Sequence, residues 1–383
     1  MNKYNTKLGQ LLSFVERPRF KKIVDDIEAD KYCKGFSAWQ QFVIMVYAQL
    51  AHPTGLRSLA DSLNASGSLY HLGIHKDVKR STISYANNNR TFEVFEKLFY
   101  SELSTVDRSG RKLFRKHFYA ADATEISLNI NDFPWADFRS TMGGIKINIK
   151  YDINHSVPDY AFITNAGEHE NNTLKDMQLK KGDTVTFDLG YCNYKTFGNF
   201  CEHGVLFVTR LKENAKYEVL EVRETDCEQV PSDETIIFTG TQTKKKCPYR
   251  LRRITSIDEK TGHAITILTN IFTVSAAYIA KMYRARWHIE IFFKTIKQNL
   301  RIKKFYGQTE NAVKTQIWIA LIVYLLFLKL RKQCTYEGKN FTYFMSGIRV
   351  CLFERTDLFA WFVGSPPVRT SSFCIAMQPE LDL

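Results

Sequence analysis

The chain reads as an α/β protein: an all-α segment over residues 1–105, a mixed-sheet core over 106–335 with a β-rich insertion at about 211–275, and a tail over 336–383. Three observations predict this. Apolar runs long enough for helices fill the front, the periodicity changes to strand-like at residue 117, and alternation of apolar and polar residues dominates again after Arg210. At 383 residues, with 44% hydrophobic and 24% charged, the chain has room for two or three domains and a sizeable core without disulfides.

The front segment carries the runs FSAWQQFVIMVYAQL and TFEVFEKLFYSEL, separated by polar loops. Between them, LRSLADSL and VKRSTISYANNNR have a helix-turn-helix-like cadence, with Ser81 or Thr82 expected to cap the second helix. Arg80, Ser84, Asn87, Asn88, Asn89 and Arg90 are residue types that bind phosphates and base edges. An ordinary helical domain with a polar loop accounts for them equally well.

HFYAADATEISL, GIKINIKYDIN and DYAFITNAG read as three successive strands. NNTLKDMQLKK is a helix candidate, VTFDLGY a short buried strand, KTFGNFCEH a helix and VLFVTRL a further strand. YEVLEVRE, TIIFTG, YRLRRITSI and AITILTNIF then form the β-rich insertion, which also holds the basic cluster Lys244, Lys245, Lys246, Arg250, Arg252 and Arg253. Such a cluster is a solvated face by default and a DNA-backbone contact if the partner is DNA.

The segment Lys281–Lys304 has no Pro or Gly and predicts a helix. It holds eight Lys or Arg and one acid, Glu290, and so supplies +7 of the formal net charge of +13. At ~100° per residue, Tyr283, Arg286, Glu290 and Lys297 share an arc of ~60°, beside an apolar stripe of Ala285, Ile289, Phe292, Phe293 and Ile296. A solvated basic helix with one i,i+4 pair is the bland reading. An acid beside an apolar stripe, however, needs a basic partner or a metal, because an unpaired buried charge is costly.

The excess of 53 Lys and Arg over 40 Asp and Glu favours a polyanionic partner. With 28 Phe, 19 Tyr and 5 Trp in folded-domain patterning rather than on one basic amphipathic face, nucleic acid outranks a membrane. The eight cysteines are scattered, without zinc-ligand spacing, so a reducing, cytoplasmic compartment is expected. No secretory signal is evident at the N-terminus. The longest apolar run, Ile317–Leu328, is shorter than the ~20 residues a bilayer needs and reads as a buried core helix.

The chemistry is expected from three carboxylates. Asp122 closes the first strand of the sheet and Asp188 closes VTFD, so parallel neighbouring strands would bring both to one edge. Glu290, from a helix packed across the sheet, would complete a set able to hold two Mg²⁺ ions ~4 Å apart, with Mn²⁺ as a substitute. Asp183 reads as a turn residue, Asp152 as a strand residue facing solvent, and Glu125 as a neighbouring acid easily confused with Asp122. Glu168 and His169 form a loop pair that either approaches the site or is satisfied by water.

Tyr283, Arg286, Glu290 and Lys297 have the spacing of a known signature: Tyr, two residues, Arg, three residues, Glu, six residues, Lys. With ADATEISL around Asp122 and DLGY at Asp188–Tyr191, the chain resembles bacterial insertion-sequence transposases of the DDE type, in the insertion sequence four family. The likeness covers roughly residues 8–335, of which 8 to about 90 resemble the helical domain in front of one branch of these enzymes, so DNA-end binding is expected of residues 1–105. Leu189 stands where that family usually has Arg, and Glu125 where it has a small hydroxyl residue. The resemblance implies a ribonuclease H-like core, metal-dependent nicking at the element's ends, and attack of the freed 3′ hydroxyl on a second phosphodiester. It also implies that Tyr283 and Lys297 hold phosphates while Arg286 orients Glu290. Lys294, Arg210, Lys244–Lys246, Arg80 and Arg90 are the further DNA contacts expected. The partners expected are double-stranded DNA, as terminal inverted repeats and target, and a second copy of the chain, with no membrane and no small-molecule substrate. Two other readings share these residues: a catalytically silent DNA-binding descendant, and a nuclease that cuts without joining.

Overall fold

The change of periodicity at residue 117 is a change of architecture in the computed structural model, which describes residues 5–66, 69–75, 77–110, 112–114, 117–139, 142–167, 174–225, 227–257, 262–334 and 340–364. Before it, six helices follow one another: α1 (Lys7–Leu12), α2 (Arg17–Asp26), α3 (Ala38–Ala51), α4 (Leu56–Ser66), α5 (Arg80–Asn89) and α6 (Glu93–Ser104). α3 begins at a capping box: Ser37 accepts from the backbone N–H of Gln40, whose side chain accepts from the N–H of Ser37. Nearly every α3 residue is buried, as its continuous apolar run requires.

The helix-turn-helix expectation is corrected. α4 and α5 form, but the connection between them is long and includes the 3₁₀ turn Tyr70–Leu72. Lys79, not Ser81 or Thr82, stands at the N-cap of α5, and it makes no side-chain cap bond.

After it, ten strands lie in one sheet among the described residues: β1 (Phe118–Leu128), β2 (Asp137–Arg139), β3 (Met142–Asp152), β4 (Val157–Asn165), β5 (Thr184–Phe187), β6 (Leu206–Arg210), β7 (Tyr217–Arg223), β8 (Ser232–Phe238), β9 (Leu251–Ile257) and β10 (Ala264–Thr269). The order is β2-β3-β1-β5-β6-β10-β9-β8-β7, with β4 also on β3. β1, β5 and β6 are parallel and the other pairings antiparallel. The β-rich insertion is therefore not a separate module. β10 pairs with β6, so β7–β10 widen the central sheet. Instead of the helix expected in NNTLKDMQLKK, the described part holds only the 3₁₀ turn Leu174–Met177.

Alternation along the strands sorts two cores. Tyr119, Ala121, Val185, Phe187 and Phe207 face α7 (Tyr194–His203) and α8 (Thr241–Lys246), while Phe118, Ala120, Ile126 and Val208 face the remaining helices. On this second face lie α9 (Ala276–Arg284) and α10 (Trp287–Asn299), with Phe292 of α10 packed on Tyr151 of β3 at 5.1 Å between ring centroids.

α11 (Glu310–Gln333), capped by Thr309, is buried continuously from Thr315 to Leu330. By length and composition it is the one described helix able to cross a membrane, yet it is the central post of the helical domain. Trp318 packs on Phe99 of α6 at 5.3 Å, and Asn311 donates to the carbonyls of Asn87 and Arg90. Lys329 pairs inside with Glu102 of α6. α12 (Phe341–Cys351) and α13 (Leu358–Val363) return to the start of the chain, where Leu8 N–H donates to Leu352 O at 3.0 Å and Lys7 meets Glu354 at 2.5 Å.

Candidate active site

β1 and β5 run parallel with Ala121 opposite Phe187, so the next residue of each chain is an aspartate: Asp122 and Asp188. Asp122 lies within β1 rather than at its end, because the strand continues to Leu128. Both alternate with residues of the α7-side core and therefore face the side that carries α9 and α10. Each carboxylate is held by a backbone N–H: Asp122 Oδ1 accepts from Ala123 at 2.9 Å, and Asp188 Oδ1 from Leu189 at 2.7 Å. Asp188 thereby caps the 3₁₀ turn Leu189–Tyr191 that leads the chain off the sheet.

The single helix expected over Lys281–Lys304 is two helices. α9 ends at Arg284 with Ala285 as its C-cap, and Arg286, its backbone still right-handed helical, is the N-cap of α10. Bonds one residue tighter than α-helical, Arg286 N–H to Tyr283 O and Ile289 N–H to Arg286 O, carry the chain around the joint. The α10 helix stops at Asn299 and leaves residues 300–308 as a connecting segment. Ile289, Phe292, Phe293 and Ile296 are buried, which presses the first turn of α10, with Glu290, onto the sheet.

Arg286 joins the parts. Its Nη2 donates to Glu290 Oε1 at 2.6 Å and its Nη1 lies 3.8 Å from Asp122 Oδ2. The guanidinium is 14% exposed. Burial pulls its pKa down, but Tyr283, Asp188 and Glu290 outweigh that, and the net direction is up. Its Nε–H is buried with no hydrogen-bond partner, one donor left over for an acceptor that approaches the site. Tyr283 sits 6.0 Å below the guanidinium. Burial raises its pKa, as does Asp188, while Arg286 and Arg210 pull the other way, so the phenol stays protonated and can donate. Lys297, two turns along α10, is half-buried, and burial and Lys303 lower its pKa against the pull of Glu125.

The structure brings Asp122, Asp188, Tyr283, Arg286 and Glu290 together, with Arg210 on the same sheet face as Val208 beside Tyr283. Lys294 is exposed on α10. Lys244, Lys245 and Lys246 are exposed on α8, on the opposite sheet face, and do not join the site. Arg90 is not a surface residue. It donates to Gln41 Oε1 and to the carbonyls of Phe36 and Ala29, pairs with Asp30 and is 8% exposed, so the expected DNA contact is corrected to a structural staple. Asn87 is likewise buried on Gln41. Arg252 and Arg253 are spent on Asp233 and Glu234. Asp183 closes a turn by accepting from Lys180 N–H. Asp152, expected to face solvent, is buried against His155 and Arg108. Glu125 pairs with Lys146 at 3.3 Å, and the Leu189 side chain packs on the α7-side core. Glu168 and His169 lie outside the described residues. Sequence reasoning missed Thr186, whose buried hydroxyl lies on the sheet face of Asp122 and Asp188, two residues before Asp188, with no partner.

The donor chemistry fits a hard divalent cation, because the acids that converge offer carboxylate oxygens. Asp122 and Asp188 would be the first carboxylates to meet one, Asp122 with the Arg286 guanidinium already 3.8 Å from its Oδ2. Glu290 is engaged by Arg286, and among the described residues no three acidic, imidazole or thiol side chains are close enough to share an ion.

Two aspartates from parallel central strands, facing a Tyr-Arg-Glu set on a jointed helix, define a nuclease-type site on a ribonuclease H-like sheet. Residues 115–326 match the transposase DDE domain, more than half of the chain, and residues 3–75 match a domain of unknown function, DUF4372. A putative transposase, y4zB, from Sinorhizobium fredii is 33% identical over 291 residues, 75% of this chain and 80% of that protein. A probable transposase for insertion sequence element IS5377 from Geobacillus stearothermophilus is 25% identical over 351 residues, 91% of both. A putative transposase for insertion sequence element IS4SA from Synechocystis is 27% identical over 286 residues, 72% of this chain and 76% of that protein. The chain belongs to the DDE transposase family, and its function is DNA transposition. The family binds DNA and uses divalent metal ions.

Proposed function

We propose that this transposase cuts double-stranded DNA at the terminal inverted repeats of its own insertion sequence and joins the freed 3′ hydroxyls to target DNA. Asp122, Asp188 and Glu290 are the catalytic carboxylates and the ligands of two Mg²⁺ ions, for which Mn²⁺ substitutes. The observation that carries this is the convergence on one sheet face of Asp122, Asp188 and, through Arg286, Glu290. Bound there, the ions would supply an activated water or sugar hydroxyl on one side of the phosphorus and stabilise the leaving oxygen on the other.

The chain's own groups do the rest. The spare Nε–H of Arg286 and the protonated Tyr283 hydroxyl donate to phosphate oxygens beside the scissile bond, and Lys297 supplies a point charge further along. When a phosphate draws Arg286 away, Glu290 is released towards Asp122 and Asp188, so DNA and the third ligand arrive together. Arg210, exposed on that face, and Lys294 extend the phosphate-binding surface. Two copies of the chain bridging a pair of ends, working in the cytoplasm, complete the reading.

The test is cleavage of a labelled duplex carrying the element's end, with Mg²⁺ or EDTA, by wild type, Asp188→Asn and Glu290→Gln. Metal-dependent 3′ hydroxyl ends and joined products from wild type only are expected, with end binding retained by both variants. Equal cleavage by Glu290→Gln removes that residue from the mechanism. Bound but uncut DNA with the wild type points to a silent binding protein, and cutting without joined product points to a nuclease.

A further inference from the structure

A cleft of about 960 Å³ opens where the helical domain meets the catalytic core, away from the carboxylates. Arg57 on α4 and Arg80 at the start of α5 line one wall, and Arg301, Lys303 and Lys304, in the segment after α10, line another. One carboxylate, Asp132, lies among these five cations. Among the described residues none of the five forms an ion pair, unlike Arg90, Arg252, Arg286 and Lys329 elsewhere in the fold. Arg301 bridges the walls by donating to Thr54 O at 3.2 Å, yet its Nε–H is buried without a partner.

Five cations against one carboxylate around one cleft repel each other, so a polyanion is the natural occupant. They carry more charge than one phosphate group neutralises. Duplex DNA presents one phosphate charge per ~1.7 Å of axis and matches them.

Two elements lead to this cleft from the carboxylates. β1 runs six residues from Asp122 to Leu128 in the cleft wall, ~20 Å at strand rise. α10 runs nine residues from Glu290 to Asn299, ~14 Å at helical rise, and then delivers Arg301. Lys297 stands between, within the electrostatic reach of both Lys303 and Glu125. At ~3.4 Å per base pair, 20 Å is about six base pairs.

We propose that this cleft grips the backbone of the duplex whose end is being cut, about six base pairs inside the scissile phosphate. Arg57 and Arg80 then make the N-terminal domain, which matches a family of unknown function, one jaw of a phosphate clamp. The inference rests on the end-cutting reading above and adds to it a second, non-catalytic site that sets where the duplex lies.

The test is a binding cycle with the full chain in EDTA. A fluorescent end duplex, its sequence taken from the DNA flanking the gene, is titrated over a range of salt. Wild type is compared with Arg57→Ala/Arg80→Ala and with Arg57→Lys/Arg80→Lys, on a normal duplex and on one with neutral methylphosphonates at base pairs five to eight. The alanine pair is expected to lower the slope of log K against log salt by ~1.8, two contacts at ~0.9 each, and the lysine pair to restore it. Neutral phosphates are expected to mimic the loss, with little further loss in combination. A wild-type slope for the alanine pair, fully additive losses, or coupling confined to phosphates of a target duplex overturns the clamp. Cleavage without this coupling overturns the clamp alone, and coupling without cleavage in Mg²⁺ overturns the end-cutting reading alone.

Discussion

Replacing Asp233 by alanine strands a guanidinium that has nowhere else to put its charge. Arg252 is 3% exposed, donates from Nε and Nη2 to the two Asp233 oxygens at 2.8 and 2.5 Å, and spends Nη1 on the carbonyls of Ile271 and Val274. Those carbonyls belong to the turn just before Ser275, the cap of the helix that carries Tyr283. The pair thus ties β8 and β9 of the insertion to the start of the helix that carries Tyr283. Removing one partner of a buried pair costs ~3–5 kcal/mol. At ~2 °C per kcal/mol for a chain of this size, Asp233→Ala is expected to melt ~6–10 °C below wild type by circular dichroism. Asp233→Leu/Arg252→Met, which removes both charges and keeps the volume, is expected to recover most of that loss. A single variant melting within ~2 °C of wild type, or a double variant no better than the single, refutes the argument that this ion pair carries the junction.

Lys297 should titrate early. Burial and Lys303 lower its pKa, so its charge, and any phosphate contact it makes, is present at neutral pH and lost as pH rises through that lowered value. End binding followed by anisotropy from neutral to alkaline pH should weaken before the ordinary lysine range, and Lys297→Arg should move that limb upward; an unmoved limb excludes the residue. For stability the sign is opposite, since the unfolded chain holds this proton more tightly and the contribution of Lys297 improves as pH rises. Glu102→Ala leaves Lys329 buried without its carboxylate, and urea unfolding should lose ~3–5 kcal/mol with an unchanged m value if the pair is as isolated from water as it stands.

What could be read from the sequence followed local periodicity. The strand readings of FYAADATEISL and VTF put Asp122 and Asp188 on neighbouring parallel strands, and the shared arc put Tyr283, Arg286 and Glu290 side by side, as they lie in the fold. The joint at Ala285 and Arg286 could not be read, because neither residue disfavours helix and the break follows from packing on the sheet. The alternation of β7–β10 revealed strands but not their partner, since nothing local says that Thr269 will pair with Val208. Arg90 next to three asparagines looks like a DNA-binding residue until Gln41, Phe36 and Asp30, some fifty residues away, are seen to consume it. The cleft escaped for the same reason: its walls lie more than 200 residues apart in sequence, and Lys303 and Lys304 read as part of a basic helix.

The buried post of the helical domain has a consequence in time. α6 holds Phe99 and Tyr100 for packing against Trp318, on a helix that begins at Glu310, about 200 residues after α6 ends. At ~5–20 residues per second, those faces wait ~10–40 s on the ribosome for their cover. The sheet with its aspartates is made in that interval, so the helical domain that carries Arg57 and Arg80 is the last part to acquire its scaffold. A chain ended between Asp188 and Glu310 therefore carries both sheet aspartates and no finished helical domain. Such a fragment is expected to be cleared by proteases rather than to compete with the full chain for DNA.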